Sequence, residues 1–149
     1  MEELSFEILI KADPLKVHRL MLEDKTYREW TSAFNPDSNY SGSWEKDSKI
    51  IFKGSDDKGN TGGMVSRIDE NLPGKIISIE HLGILSGDEE ITSGPEIEGW
   101  KGAKEIYEFE ESNGNTILRV RMDSNQEFKE YFAETWPKAL AKLKSICES

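Results

Sequence analysis

Apolar and polar residues alternate at the start of the chain. Leu4, Phe6, Ile8 and Ile10 recur at every second position, so they share one face of a predicted β-strand while the side chains between them face outward. A strand with one apolar face requires a core on that side only. The opening segment therefore predicts a half-buried strand rather than a helix.

Two short helices are predicted next. Asp13 is a favourable N-cap, and Pro14 suits the first helical position because its missing N–H would have no partner there. Apolar residues then recur at intervals of three and four, which is the spacing of one helical face. In the first helix these are Val17, Leu20 and Met21; in the second, which begins near Asp24, they are Tyr27, Trp30 and Phe34.

From residue 39 to about residue 124 the period changes to alternation, and turn sequences such as Asn113-Gly114 recur at regular intervals. This pattern predicts an antiparallel meander with its apolar face in the core and its polar face, including Glu108, Glu110, Arg119 and Arg121, in water. The predicted strands cover residues 39 to 45, 48 to 54, 62 to 70, 75 to 83, 102 to 111 and 115 to 123. The acidic, glycine-bearing segment between the fourth and fifth of these is interpreted as a long loop.

The last segment, from Asn125 to about Glu148, is predicted to be one amphipathic helix. Pro137 lies in its middle and costs about 3 kcal/mol in a straight helix, which a bend relieves. We therefore expect the helix to cross a curved sheet and to bend beside Trp136, leaving a pocket between helix and sheet. The apolar stripe of this helix consists of Phe128, Phe132, Trp136, Leu140, Leu143 and Cys147.

Length and charge narrow the possible functions. The 149 residues fit a single domain, and a net charge of -10 disfavours nucleic acid and anionic membranes as partners. With Cys147 as its one cysteine, the chain has no intrachain disulfide and no cysteine-based metal cage, which fits a cytoplasmic protein. We expect no membrane insertion, because the sequence contains no signal-like segment. We expect no cofactor, because it contains no phosphate loop or dinucleotide motif.

The order of strand, two short helices, meander and closing helix resembles the α+β helix-grip fold of the START-like (SRPBCC, Bet v 1-like) superfamily. The segments "ADPLKVHRLMLEDKTYREW", "GGMVSRIDENLPGKIISIEHLG" and "TWPKALAKLK" are similar to the family named after the activator of heat-shock-protein-90 ATPase, whose bacterial members include small stand-alone domains. The resemblance covers essentially the whole chain, although its motifs are signatures of fold rather than of substrate.

The resemblance implies a curved antiparallel sheet of six to seven strands gripping the long helix, with a cavity for a small hydrophobic or amphipathic ligand. Functions in this superfamily range from lipid and hormone carriers through polyketide cyclases to chaperone-associated domains, so fold alone assigns no activity. His18 departs from the family pattern, where a large aromatic residue is usual, and Glu23 and Asp24 replace a common Asp-Pro pair. We expect these departures to leave the fold intact and to alter the entrance of the pocket.

Two ionisable residues are candidates for chemistry. His81 shares the inner face with Ile77 and Ile79, and Glu105 is in phase with Tyr107. A buried His and Glu could serve as general acid and base in a cyclisation or dehydration. The alternative interpretation is that they satisfy each other, or the rim of the cavity, and do no chemistry. We favour it because perturbed polar groups are often structural. A metal site is rejected, since neither His18 nor His81 stands in an HxxxH or HExxH spacing.

We expect a binding protein rather than an enzyme, with Trp100 acting as a lid over the pocket mouth. The alternatives are a co-chaperone-type interaction module with a chaperone as partner, and a cyclase or dehydratase using His81 and Glu105. For the aromatic members of the site, plain core filling is the competing interpretation. The candidate ligand-binding residues are Trp30, Phe34, Phe52, His81, Trp100, Glu105, Tyr107, Phe132, Trp136 and Leu140.

Overall fold

The computed structural model describes residues 2–55, 58–99 and 101–149, in which three helices accompany one antiparallel sheet. The helices are α1 (Pro14–Leu22), α2 (Asp24–Thr31) and α3 (Lys129–Glu148). The strands are β1 (Glu2–Ile10), β2 (Asn39–Gly42), β3 (Lys49–Ser55), β4 (Thr61–Leu72), β5 (Ile76–Ser86), β6 (Glu89–Ile91), β7 (Lys104–Ser112) and β8 (Asn115–Ser124).

The sheet order is β1-β8-β7-β5-β4-β3-β2, with β6 paired to the far half of β5. Two register shifts between β4 and β5, at Val65/Ser66 and Ile68/Glu70, bend the sheet. The predicted α+β helix-grip architecture is confirmed: a curved antiparallel sheet, two short helices and a long closing helix.

The eighth strand, β6, was not predicted from the sequence. It falls in the segment interpreted as a long loop, where Gly87 and Asp88 form a two-residue hairpin turn between Ser86 and Glu89. The backbones of β5 and β6 approach so closely that a Cβ atom at Gly83 would collide with the carbonyl oxygen of Ile91. β7 pairs with β5 from Ile76 to Glu80, and β6 pairs with β5 further along, from Ile84 to Ser86.

The two faces of the sheet separate apolar from charged residues as the alternation predicts. On the inner face Phe6 lies opposite Val120, which lies opposite Tyr107. On the outer face Arg119 bridges Glu7 and Glu110 at 2.8 and 2.7 Å. These outer pairs are exposed, so each adds at most about 1 kcal/mol, and their main effect is to keep this face in water.

The first two helices follow their sequence signals closely. The Asp13 carboxylate accepts the backbone N–H of Lys16 at 3.0 Å, which confirms the N-cap. α2 ends at Thr31, so Phe34 follows the helix rather than lying on it. Tyr27 and Trp30 still point into the core from α2, and the Trp30 indole donates to the carbonyl oxygen of Met21 in α1.

The closing helix starts later than predicted. The Asn125 side chain accepts the backbone N–H of Phe128 and forms a turn there, so α3 begins at Lys129 and Phe128 is 48% exposed. From there α3 continues through Pro137, which faces solvent. Among the described helices, none combines the length and apolarity that crossing a bilayer requires.

His18 connects α1 to the turn between β4 and β5. Its ring is 7% exposed, packs 5.1 Å from the ring of Phe109, and accepts the backbone N–H of Gly74 at Nδ1. This hydrogen bond requires the neutral ring, and burial lowers the pKa of His18 below its usual value.

We predict that His18 makes stability depend on pH in mildly acid solution. The unfolded chain takes up a proton near about pH 6.5, whereas the folded chain resists protonation to lower pH. The free energy of unfolding should therefore fall from about pH 7 to about pH 5 more steeply in the wild type than in His18→Phe, which has no ionisable ring. Urea denaturation across this range measures the difference. If the free energy of unfolding of the wild type, minus that of His18→Phe, stays constant or increases toward acid pH, this role for His18 is contradicted.

Candidate functional site

Trp136 fills the space beneath the middle of α3. Its ring lies 5.0 to 6.1 Å, between centroids, from the rings of Phe6, Trp30, Phe34 and Tyr107. Its indole N–H points at the sulfur of Met122, 2.9 Å away. The side chain is 3% exposed, so this part of the predicted gap between helix and sheet is occupied by protein.

The surface pockets of the described residues lie elsewhere. One is lined by Ser5, Phe6, Glu7, Arg119, Val120 and Arg121, beside β1 and β8. The other is in the loop before β7 and is lined by Ser93, Gly94, Pro95, Ile97, Glu98 and Lys101. Neither contains any of the nine predicted ligand-binding residues that the structure describes.

The inner face of the sheet is nevertheless only partly covered. α3 packs against β1, at one edge of the sheet, and against α1 and α2, of which α2 also contacts β2 at the far edge. Between these edges, Phe52, Met64 and Ile84 are only half-buried. Directly opposed residues share a face, and Met64 is opposite both Phe52 and Ile84, so all three point inward. We call the surface formed by Phe52, Met64, His81, Ile84 and Glu105 the open half of the concave face.

A chain of four polar side chains crosses this surface. Ser66 Oγ lies 2.7 Å from His81 Nδ1, and His81 Nε2 lies 3.3 Å from Glu105 Oε1. Tyr107 donates its phenol hydrogen to the other oxygen, Glu105 Oε2. The register explains the assembly, because Ser66 is paired with His81 across β4 and β5, and Glu105 and Tyr107 are inward neighbours on β7.

The four groups differ in their access to solvent. Ser66, His81 and Tyr107 are 0%, 7% and 3% exposed, whereas the Glu105 side chain is 19% exposed. Burial, followed by the negative charge of Glu105, raises the pKa of Tyr107 well above its usual value. The same two causes raise the pKa of Tyr27 in α2, which places that ring within the field of Glu105. Glu105 is thus the most accessible member of an otherwise buried polar chain.

Aromatic rings flank the polar chain. The Phe52 ring lies 6.5 Å from His81 and 6.1 Å from Tyr27. The Trp44 ring lies 5.5 Å from Phe52, and its buried indole N–H has no hydrogen-bond partner among the described residues. A buried donor without a partner is costly compared with a paired one.

The ten predicted ligand-binding residues fall into three groups. Trp30, Tyr107, Trp136 and Leu140 are buried in the core. Phe34, Phe52, His81, Glu105 and Phe132 lie on the inner side with more varied burial, and the sequence correctly predicted that His81 and Glu105 meet. Trp100, the predicted lid, lies outside the described residues.

The sequence did not predict Met64 and Ile84 as members of this surface, nor three residues beside it, Tyr40, Trp44 and Ser66. Tyr40 and Trp44 are an even number of residues apart on the segment around β2, and Ser66 stands in phase between Met64 and Ile68. Alternation therefore carried the signal for all three. Among the described residues there is no group of three or more His, Cys, Asp or Glu side chains placed to hold a metal ion.

Several solved structures share the fold of this chain. The chain is similar to the solution structure of the Aha1 dimer from Colwellia psychrerythraea, with a TM-score of 0.72 and 22% identity over 99% of this chain and 97% of that one. It has the Aha1-like helix-grip fold. A crystal structure of a protein from Nitrosomonas europaea has a TM-score of 0.72 at 15% identity, covering 96% and 92% of the two chains.

A third likeness is to CalU16 from Micromonospora echinospora, with a TM-score of 0.68 at 12% identity, covering 97% of this chain and 73% of that one. No family model and no curated protein matches the sequence. At these identities the likenesses establish the fold, and the function must be argued from the residues of this chain.

We predict that Tyr107 makes the fold sensitive to alkali. Its raised pKa means that the folded state keeps the phenol proton while the unfolded state releases it, so stability should fall as pH rises above about 10. Tyr107→Phe should lessen this fall, and Tyr131→Phe, at a ring that is 43% exposed, should lessen it less. Thermal unfolding followed by circular dichroism between about pH 8 and about pH 11 tests the order. If Tyr107→Phe and Tyr131→Phe reduce the alkaline loss of stability equally, this role of Tyr107 is refuted.

Proposed function

We propose that the chain binds a small hydrophobic or amphipathic ligand on the open half of the concave face. The observation that carries this proposal is the composition of that surface: inward-facing apolar side chains only half-buried by the protein, beside a polar chain in which Glu105 is partly exposed. Ligand sites are typically apolar with a few convergent polar groups that set orientation. The single buried cysteine fits a cytoplasmic setting for this binding.

The position of the site follows from the packing of α3. Because Trp136 and its neighbouring rings fill the space under the middle of the helix, the ligand would lie beside α3 rather than beneath it. Phe34 and Phe132 are half-buried near the helix and would form its near wall. Phe52, Met64 and Ile84 would form its floor on the sheet.

The polar chain supports binding rather than catalysis. Both ring nitrogens of His81 have partners, Ser66 and Glu105, and both Glu105 oxygens have partners, His81 and Tyr107. Ser66 and His81 are 0% and 7% exposed, so neither has the access to a substrate that a catalytic acid or base needs. We therefore favour a binding protein over a cyclase or dehydratase that uses His81 and Glu105.

Nuclear magnetic resonance titration tests the binding proposal. With a set of apolar and amphipathic compounds, amide shifts should concentrate at Phe52, Ile84 and Glu105 and spare Arg119 on the outer face. Phe52→Ala removes the aromatic floor and should weaken binding about tenfold, since burying such a side chain is worth about 1.5 to 3 kcal/mol. Leu72→Ala, at a side chain that is 47% exposed, is the matched control and should leave affinity unchanged.

Shifts confined to the outer face, or the absence of shifts across chemically diverse compounds, would count against the proposal. Equal effects of Phe52→Ala and Leu72→Ala would show that binding occurs elsewhere.

One observation favours a second candidate, a co-chaperone-type interaction module with a chaperone as partner. Trp136 fills the space beneath the middle of α3, as expected for a domain that acts through its surface. The Aha1 structure also matches nearly the whole chain. Adding the purified chain to a heat-shock-protein-90 chaperone should then change its rate of ATP hydrolysis. An unchanged rate at saturating chain concentration would eliminate this candidate.

A further inference from the structure

The open half of the concave face carries one carboxylate whose partners among the described residues include no Lys or Arg. Glu105 contacts His81 and Tyr107. The nearest cation along the chain, Lys104, is on the opposite face of β7 and pairs with Asp69 at 3.1 Å. The Glu108 carboxylate, also outward on β7, pairs with Arg121 at 2.8 Å. Glu105 therefore differs from these outer carboxylates in having no fixed cation.

The Glu105 carboxylate also has acceptor capacity left. An ionised carboxylate offers about four lone-pair sites on its two oxygens, and one donor approaches each oxygen here. The side chain is 19% exposed, so the remaining sites are reachable from the open surface. A ligand could add a charge-assisted hydrogen bond without displacing His81 or Tyr107.

The aromatic surroundings favour a positive group at this point. The Phe52 ring lies 6.5 Å from the ring of His81, which contacts Glu105. Aromatic faces attract cations, more strongly where water is partly excluded. The net charge of -10 adds a long-range attraction for cations and a repulsion for anions. The free donor near Phe52, the Trp44 N–H, is neutral and does not offset the charge of Glu105.

We propose that the ligand of this surface is an amphipathic cation, an apolar molecule bearing a protonated amine that Glu105 binds while Phe52 contacts its apolar body. This inference rests on the proposed function, since it names the chemical class that the same surface accepts. A carboxylate-bearing amphiphile would meet Glu105 with like charge, and a neutral alcohol would gain a hydrogen bond without the charge attraction.

Isothermal titration calorimetry with three probes of equal chain length tests the proposal: octylamine, octanol and octanoic acid at neutral pH. Wild-type protein should bind octylamine about fivefold or more tightly than octanol, and octanoic acid most weakly, since charged hydrogen bonds exceed neutral ones by about 1 kcal/mol or more. Glu105→Gln keeps the shape and an acceptor for Tyr107 and should abolish the preference for the amine, so that octylamine and octanol bind with equal affinity.

The control is Glu108→Gln, which makes the same change in net charge on the outer face of the same strand. It should retain the preference for the amine, which separates binding by Glu105 from general attraction to an acidic protein. Circular dichroism confirms that both variants fold.

The outcomes separate this inference from the proposal on which it rests. Equal binding of octanol and octylamine, tighter binding of octanoic acid, or a preference that survives Glu105→Gln or disappears in Glu108→Gln would overturn the amine inference while leaving a ligand site. If wild-type protein binds none of the three probes, both proposals fail.

Discussion

The packing of Trp136 between α3 and the sheet fixes what the rest of the inner face can do. Four rings surround its indole, and its N–H faces the sulfur of Met122, so the helix is held at one lateral position. A helix is about 10 Å wide, whereas a path of seven strands spaced about 4.8 Å apart measures about 30 Å across. α1 and α2 are short, and Phe52, Met64 and Ile84 are only half-buried, so the helical layer leaves part of the concave face half-covered.

That incomplete cover explains why ionisable groups are tolerated on the inner face. A fully buried carboxylate would be costly, but Glu105 keeps contact with solvent on one side and receives donors from His81 and Tyr107 on the other. Ser66 occupies the remaining ring nitrogen of His81. The polar chain is therefore stable at the boundary between packed core and open surface, where it can also orient a ligand.

Much of this arrangement follows from the sequence. Alternation in β1, the Asp13-Pro14 helix start and the shared phase of Glu105 with Tyr107 each predict what the structure contains. These signals are local, so they survive in a single sequence. The hairpin turn at Gly87 and Asp88 was also a local signal, but the acidic, glycine-bearing context around it favoured a loop interpretation, and β6 was missed.

The extent of cover could not be predicted in the same way. Alternation tells which face a residue occupies, whereas the burial of Phe52 or Trp136 depends on where α3 lies across the sheet. That position is set by long-range packing of Trp136 against β1, β7, α2 and the segment that follows α2, for which a single sequence has no period or motif. The predicted gap therefore proved to be filled beneath the helix and open beside it.

Methionine methyl groups allow the central claim, that the concave face is closed under α3 and open beside it, to be measured directly. Met64 lies on the open half, whereas Met21 and Met122 are 0% and 6% exposed in the core. With a neutral, soluble paramagnetic chelate, methyl relaxation should increase strongly for Met64 and little for Met21 and Met122. A Met64 methyl as protected as that of Met21 would mean that the face is sealed, and would contradict the account.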